Sequence, residues 1–248
     1  MFELKSFPPY PISSSTLSTV PMPDNLPKPV SRFFSTILGN IVPLIQSAIV
    51  TGRGTIRFKG IVFPARWRFI YCAGQGYRHY IETTVLVYPL MKVNEFYLDG
   101  HSRLELPFGV VENQPTVDMA ANLGLWGESI WFPSIFVTDP RIRWEAINET
   151  SARLIVPFGN TTDSFTVSFD PKTGLLQQLE ALRYRETSNP QKLGWRNQVL
   201  EWGVFNGFKL PLRATVRWLD QASPWFVLSV EEVVYNVDVE SYIRTRGI

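Results

Sequence analysis

The feature that most limits the fold is a period of two that returns along most of the chain. In its clearest run, Leu212, Ala214, Val216 and Trp218 alternate with Arg213, Thr215 and Arg217. Successive side chains of a strand point to opposite faces, so this run predicts a strand buried on one side and wet on the other. Earlier, Ile56, Phe58 and Val62 alternate with Arg57 and Lys59, and Ala65, Trp67, Phe69 and Tyr71 alternate with Arg66 and Arg68. These predict two antiparallel strands joined by a turn near Phe63-Pro64. Further strand-like runs fall at 77–88, 91–98 and 101–107. A second series falls at 141–148, 151–157, 162–169, 175–185, 195–204, 208–219 and 225–235. Turn chemistry separates them, as in Leu98-Asp99-Gly100-His101, Gly159-Asn160 and Asn206-Gly207.

About twelve strands in two meanders predict an α+β protein dominated by one large antiparallel sheet. A sheet of that width twists and curls into a half-barrel or open barrel. Two stretches break the alternation and predict apolar helices covering the concave face. In the first, Val30, Phe33, Phe34, Ile37, Leu38, Ile41, Val42 and Ile45 recur at helical spacing, with a kink or break near Pro43. No charge occurs from Phe33 to Gly52, yet Gly39, Asn40, Pro43 and Gln46 dilute the run, so a packed helix is expected rather than a membrane span. The second is Pro115–Pro133, PTVDMAANLGLWGESIWFP, with Thr116 as the expected cap and Asp118 in the first turn. It is apolar or small nearly all round, which predicts a buried helix.

Composition narrows the function classes. Hydrophobic residues make up 45% of 248, enough for a substantial core, and the net charge of +2 with no cationic run leaves no nucleic-acid footprint. One cysteine, Cys72, permits no internal disulfide and reads as a small core hydrophobe; two histidines, His79 and His101, leave no histidine-rich metal site. No phosphate loop, nucleophile elbow or zinc motif appears, and no cofactor is expected. A Ser–His–acid triad would need His79 or His101, and nothing places a serine beside either.

Residues 1–25 form a Pro/Ser-rich lead-in, expected to be extended or flexible, with Phe2, Leu4, Phe7 and Tyr10 as apolar grips should it wrap over the domain. Residues 26–248 are expected to form one domain. The lead-in lacks the apolar run of a secretory signal, so a cytoplasmic location is expected, with a periplasmic or membrane-associated one as the alternative.

Glu128 is the leading site candidate. It falls on the apolar stripe of Val117, Ala121, Gly124 and Leu125, where a carboxylate is paired, protonated or lining a cavity. Trp131 lies three residues on, close to it on the helix surface. Arg183-Tyr184-Arg185 at a strand end offers two guanidiniums for a carboxylate or phosphate, or one of them as a structural partner for Glu128. Trp126 and Trp144 are further candidates for an apolar wall.

Several segments together resemble an uncharacterised bacterial family of the domain-of-unknown-function kind. They are Leu26-Pro27-Lys28-Pro29-Val30-Ser31-Arg32, Gly127-Glu128-Ser129-Ile130-Trp131-Phe132-Pro133, Ile142-Arg143-Trp144-Glu145-Ala146-Ile147, Leu182-Arg183-Tyr184-Arg185 and Val234-Tyr235-Asn236. The resemblance implies a curved sheet like that of bacterial lipoprotein carriers and their sorting-factor relatives, with helices plugging an apolar concave face. It brings no activity. The expected function is therefore binding of a hydrophobic or amphipathic small molecule, a lipid among them, by Glu128, Trp131, Arg183, Arg185, Trp126, Tyr184 and Trp144. No nucleic acid and no integral membrane span are expected, while peripheral membrane contact stays open. The alternatives are an enzyme with Glu128 as acid or base and Arg183 stabilising an anion, and a partner-binding protein using the lead-in as its arm.

Overall fold

A computed structural model describes residues 7, 9–10, 17–85, 88–185 and 191–244. Two short strands, β1 (Thr19–Pro21) and β2 (Ile41–Pro43), flank helix α1 (Lys28–Leu38) and pair with each other. The first meander follows as β3 (Ser47–Phe58), β4 (Ile61–Cys72), β5 (Gly76–Val85), β6 (Tyr88–Leu98), β7 (His101–Leu106) and β8 (Gly109–Glu112). Helix α2 (Pro115–Glu128) runs into a 3-10 turn at Ser129–Trp131 and a short helix α3 (Ile135–Thr138). The second meander is β9 (Arg143–Asn148), β10 (Ser151–Phe158), β11 (Thr161–Phe169), β12 (Leu176–Tyr184), β13 (Lys192–Phe205), β14 (Phe208–Trp218) and β15 (Phe226–Tyr235), closed by helix α4 (Glu240–Arg244).

All thirteen strands from β3 on lie in one antiparallel sheet, in which β15 pairs with β3 and β8 and β9 are the two ends. Each meander is thus a chain of hairpins, and the last strand of the second joins the first strand of the other. Three hairpins turn on two left-handed residues each, Lys59-Gly60, Asp99-Gly100 and Asn206-Gly207. That geometry matches the twist of the flanking strands and suits an Asx-Gly pair. The first of them corrects the expected turn at Phe63-Pro64. The alternation runs on through Pro64, which stands opposite Thr55 inside β4.

The first helix is also shorter than expected. It ends at Leu38 because Gly39 takes a left-handed φ of 72°. Beyond it, Ile41–Pro43 is strand, and residues 47–52 belong to β3. The long uncharged run reflects a strand covered on both faces: Ala48 and Val50 face the main core, whereas Ile49 joins Ile70, Val237 and Val239 on the outer side. Among the described residues no helix is long and apolar enough to cross a membrane.

The contacts of α2 establish the curvature. It packs on β6 and β7 near one end of the sheet and on β12 and β10 near the other. Seven strand spacings separate β6 from β12, roughly 34 Å in a flat sheet, against a helix about 10 Å wide. The sheet therefore curls until both ends meet the same helix. Asn122 makes the seam explicit: its Oδ1 accepts from Tyr97 Oη of β6 at 3.2 Å, and its Nδ2 donates to Pro157 O of β10 and to Asp163 Oδ2 of β11 at 3.1 and 3.0 Å. Thr116 does not cap α2. Gln114 holds that position without a side-chain bond, and Pro115 starts the helix. Asp118 instead accepts from Ser102 N and Oγ at 2.7 and 2.5 Å, tying the first turn to β7.

Of the lead-in, Phe7 packs edge-on against Tyr80, with the Arg66 and Arg68 guanidiniums over its ring, and Tyr10 packs on Tyr242. These two grips lie on the outer face of the sheet. Phe2 and Leu4 lie outside the described residues.

Candidate functional site

Strand register builds the site. Pairing of β4, β5 and β6 sets Phe69, His79 and Glu95 in one row across the sheet, and Tyr71, Tyr77 and Tyr97 in the next. All six side chains belong to the concave face. The last turn of α2 lies over these rows. Gly127 permits the approach on the other side: a Cβ there would stand 2.9 Å from Asn197 Nδ2 and 3.0 Å from the Trp195 ring of β13. One residue on, about 100° round the helix, Glu128 faces the first meander.

Glu128 points inward. Its side chain is 16% exposed, and its Oε2 lies 2.8 Å from His79 Nε2. The contact is an ion pair rather than an in-line hydrogen bond. Tyr71 Oη donates to the same oxygen at 3.0 Å. On the far side of the imidazole, Nδ1 is 3.8 Å from Glu95 Oε2, and Tyr77 Oη donates to Glu95 Oε1 at 2.5 Å. The His79 ring is held between Tyr77, stacked at 3.9 Å, and Phe69, at 4.0 Å. Burial alone would depress the histidine, but Glu128 and Glu95 more than reverse that and push its pKa up to about 9. Burial would likewise raise Glu95, yet His79, the Tyr77 hydroxyl and the Arg183 charge bring it below the ordinary value. Burial and the two carboxylates push Tyr71 and Tyr77 well above the usual phenol range, so both remain neutral donors. The cluster is a buried imidazolium between two carboxylates, each held by a tyrosine.

The partner of Glu128 is therefore His79 of the first meander, and not Arg183 or Arg185 of the second. Arg183 turns inward beneath α2, where its Nε donates to Ala120 O at 2.9 Å and its guanidinium lies 4.6 Å over the Trp195 ring. Arg185 leaves the site and pairs with Asp220 at 2.7 Å. Tyr184 stands at the strand end, with the Lys192 ammonium 5.2 Å from its ring centre. Trp131 is fully buried and stacks on Trp67 at 5.8 Å, while its carbonyl accepts from Tyr235 Oη. Trp144 donates from Nε1 to Phe136 O at 2.9 Å, which secures α3. Trp126 lies at the seam below Arg141.

The interior between sheet and cover is filled by these side chains. Clefts that open around it among the described residues include four of about 330 to 660 Å³. None of the four has Glu128, His79, Trp131 or Arg183 in its wall, whereas Trp126 lines the seam cleft together with Asn122 and Arg141. Besides His79 Nε2, the buried polar atoms without a hydrogen-bond partner among the described residues include Trp126, Trp131 and Trp195 Nε1 and Asn197 Oδ1.

Sequence reasoning missed His79, Glu95, Tyr71 and Tyr77 as members of the site. Their shared face was visible in the alternation, with Tyr77 and His79 two apart on one strand and Phe69 and Tyr71 on another. What brought them to Glu128 was the register between strands, which no local spacing states.

No curated protein matches the chain. Solved structures similar to it include a DUF1329 family protein from Desulfovibrio piger (11% identity, 81% of this chain and 90% of that one, TM-score 0.49). Others are a putative outer membrane lipoprotein-sorting protein domain from Vibrio parahaemolyticus (9%, 87% and 93%, 0.45) and a LolA superfamily protein from Nitrosomonas europaea (9%, 88% and 96%, 0.49). A family model matches residues 16–228, and on that match the chain belongs to DUF6544, a family of unknown function.

Proposed function

We propose that the chain is a binding module for a hydrophobic or amphipathic small molecule, held between the concave face and the α2–α3 cover. The observation that carries this reading is a charged cluster, His79 with Glu95 and Glu128, set inside a wall of aromatic rings beneath a helix that is apolar nearly all round. Burying ions is expensive, and hydrophobic residues of like volume would hold the helix as well. An apolar wall with a few convergent polar groups is what an amphipathic ligand needs. The unpartnered Trp126, Trp131 and Trp195 Nε1 and Asn197 Oδ1 support the same reading, since each costs about 1–3 kcal/mol unless something meets it.

In the structure the cover itself fills the interior, so entry requires α2 and α3 to move off the sheet. The polar contacts that would give way are His79 and Tyr71 to Glu128, Ser102 to Asp118, Asn122 to Tyr97, Pro157 O and Asp163, Arg183 to Ala120 O, Tyr235 to Trp131 O and Trp144 to Phe136 O. The test is native mass spectrometry of the purified full chain, with organic extraction and titration of a fluorescent fatty acid. A co-purifying apolar molecule, or saturable binding of the probe weakened about ten-fold in a folded Glu128→Gln variant, is expected. The absence of both a bound molecule and saturable probe binding would overturn the proposal.

A further inference from the structure

Thirteen large hydrophobic side chains are exposed among the described residues, and seven of them sit on three hairpin ends at one rim of the first meander. Ile61 and Val62 follow the β3–β4 turn, Val85, Tyr88 and Leu90 flank the β5–β6 connection, and Phe108 and Val110 surround the β7–β8 turn. Phe108 is 69% exposed, the second highest of the set. The ends form one patch. The Phe58 and Phe108 rings stack at 6.1 Å although their strands, β3 and the β7–β8 end, stand about four places apart in the sheet.

Scattered exposed apolar residues need no explanation, but a contiguous group does. Its charge is one-sided. The described residues of these ends, 57–63, 84–85, 88–92 and 106–111, contain Arg57, Lys59 and Lys92 and no acid. All three cations are exposed, and the Lys59 ammonium stands 5.6 Å over the Phe58 ring; Lys92 also reaches Glu82 at 3.5 Å. The opposite rim carries both signs: its turns hold Asp99 and the Asp139–Arg141 pair, and Asp238, Glu240 and Arg244 line the cleft beside α4.

We propose that this rim docks on the surface of a bilayer containing anionic lipid, with Phe108, Leu90 and Ile61 entering the interface and Arg57, Lys59 and Lys92 meeting the headgroups. Aliphatic and aromatic tips beside cations, without acids, combine the apolar and electrostatic parts of interfacial binding. A protein partner would be served by the apolar part alone; the cation excess favours the membrane. The proposal does not depend on a ligand beneath α2.

Flotation of the full chain with phosphatidylcholine vesicles, with and without 30 mol% phosphatidylglycerol, tests it. Binding to the anionic vesicles that falls with added salt is expected. The exposed triple variant Ile61→Ser/Leu90→Ser/Phe108→Ser should reduce it at least about ten-fold, and Lys59→Glu by about five-fold or more. Leu200→Ser/Val204→Ser, which alters exposed apolar side chains elsewhere, should leave it unchanged. Thermal unfolding checks that each variant is folded. No flotation with either vesicle would overturn the proposal. So would a self-association in gel filtration that the triple variant abolishes without any vesicle binding, since the patch would then serve a second copy of the chain.

Discussion

The two meanders hold the same helix by different means. Beneath α2 the second meander presents Leu154, Val156, Phe165, Val167, Leu179 and Trp195, all fully buried, with polar contacts to the helix from Arg183 at Ala120 O and from Pro157 O and Asp163 at Asn122. The first meander presents a row of Phe69, His79 and Glu95 beside a row of tyrosines, with the ion pair to Glu128. A dry apolar surface attracts a helix without fixing its rotation closely, because dispersion and burial are non-directional. A buried ion pair accepts few rotations, since a misplaced partner leaves an uncompensated charge. The difference teaches that the second half of the sheet supplies most of the apolar adhesion, with neutral or singly charged hydrogen bonds, whereas the first half supplies the buried ion pair.

The largest effect should come from breaking the buried ion pair. Glu128→Ala removes one member of the buried pair and leaves His79 charged against Glu95 alone. A loss of about 3–5 kcal/mol in urea unfolding is expected. A loss below about 1 kcal/mol would mean that the second meander alone fixes the helix, and the contrast between the halves would fall.

Solution pH reaches the same pair without mutation. His79 has its pKa raised from an unfolded value of 6.5 to about 9. Its contribution is then fully present below about 6.5 and is lost as the pH rises through about 9, to the extent of about 3 kcal/mol. Glu95 acts at the other end. Its pKa lies below the ordinary 4.5, so its contribution is present above 4.5 and is lost as the pH falls through the lower folded value. Unfolding free energy measured from pH 5 to pH 10 should decline on the alkaline side, and His79→Gln should flatten that decline. An alkaline limb unchanged in the variant would assign it to other groups.

Much of this fold could be read from the chain, for reasons that also mark where reading stopped. Alternation survives in single sequence because it is local, and so the run Leu212–Trp218 became β14 and the two-residue turn at Asp99-Gly100 joined β6 to β7. The helical spacing held to Leu38 and misled beyond Gly39, where Ile41–Pro43 pairs with the earlier strand β1 and the uncharged run passes into β3, a strand covered on both faces and as apolar as a buried helix. The same double cover hid the site. On β5 every residue from Gly76 to Thr83 is buried, since Phe7 and Ile243 cover the outer face over Tyr80 and Arg78. Nothing in that strand's composition marked His79 as inward-facing and paired. Glu128 stood out because a helix with one acid on its apolar stripe is a local contradiction, whereas its partner lay far earlier in the chain, on β5.

The smallest expected effect separates two arginines that sequence treats alike. Arg183 and Arg185 are two apart on one strand end, yet only the first touches the cover, through Ala120 O. Arg183→Met keeps the stem over Trp195 and deletes that charge-assisted bond, so a loss of about 2 kcal/mol is expected. Arg185 pairs with Asp220 at the surface, with both side chains partly in water. Arg185→Met should change stability by no more than about 0.5 kcal/mol. Equal losses would place both residues in the same surface network and leave Asn122, through Pro157 O and Asp163, as the second meander's hold on α2. A loss confined to Arg183 would show that its bond adds to those of Asn122 in anchoring the second turn of the helix, a full two turns from Glu128. The cover would then be pinned near both ends, by a guanidinium on a backbone carbonyl and by an imidazolium on a carboxylate, with only the latter sensitive to pH below 10.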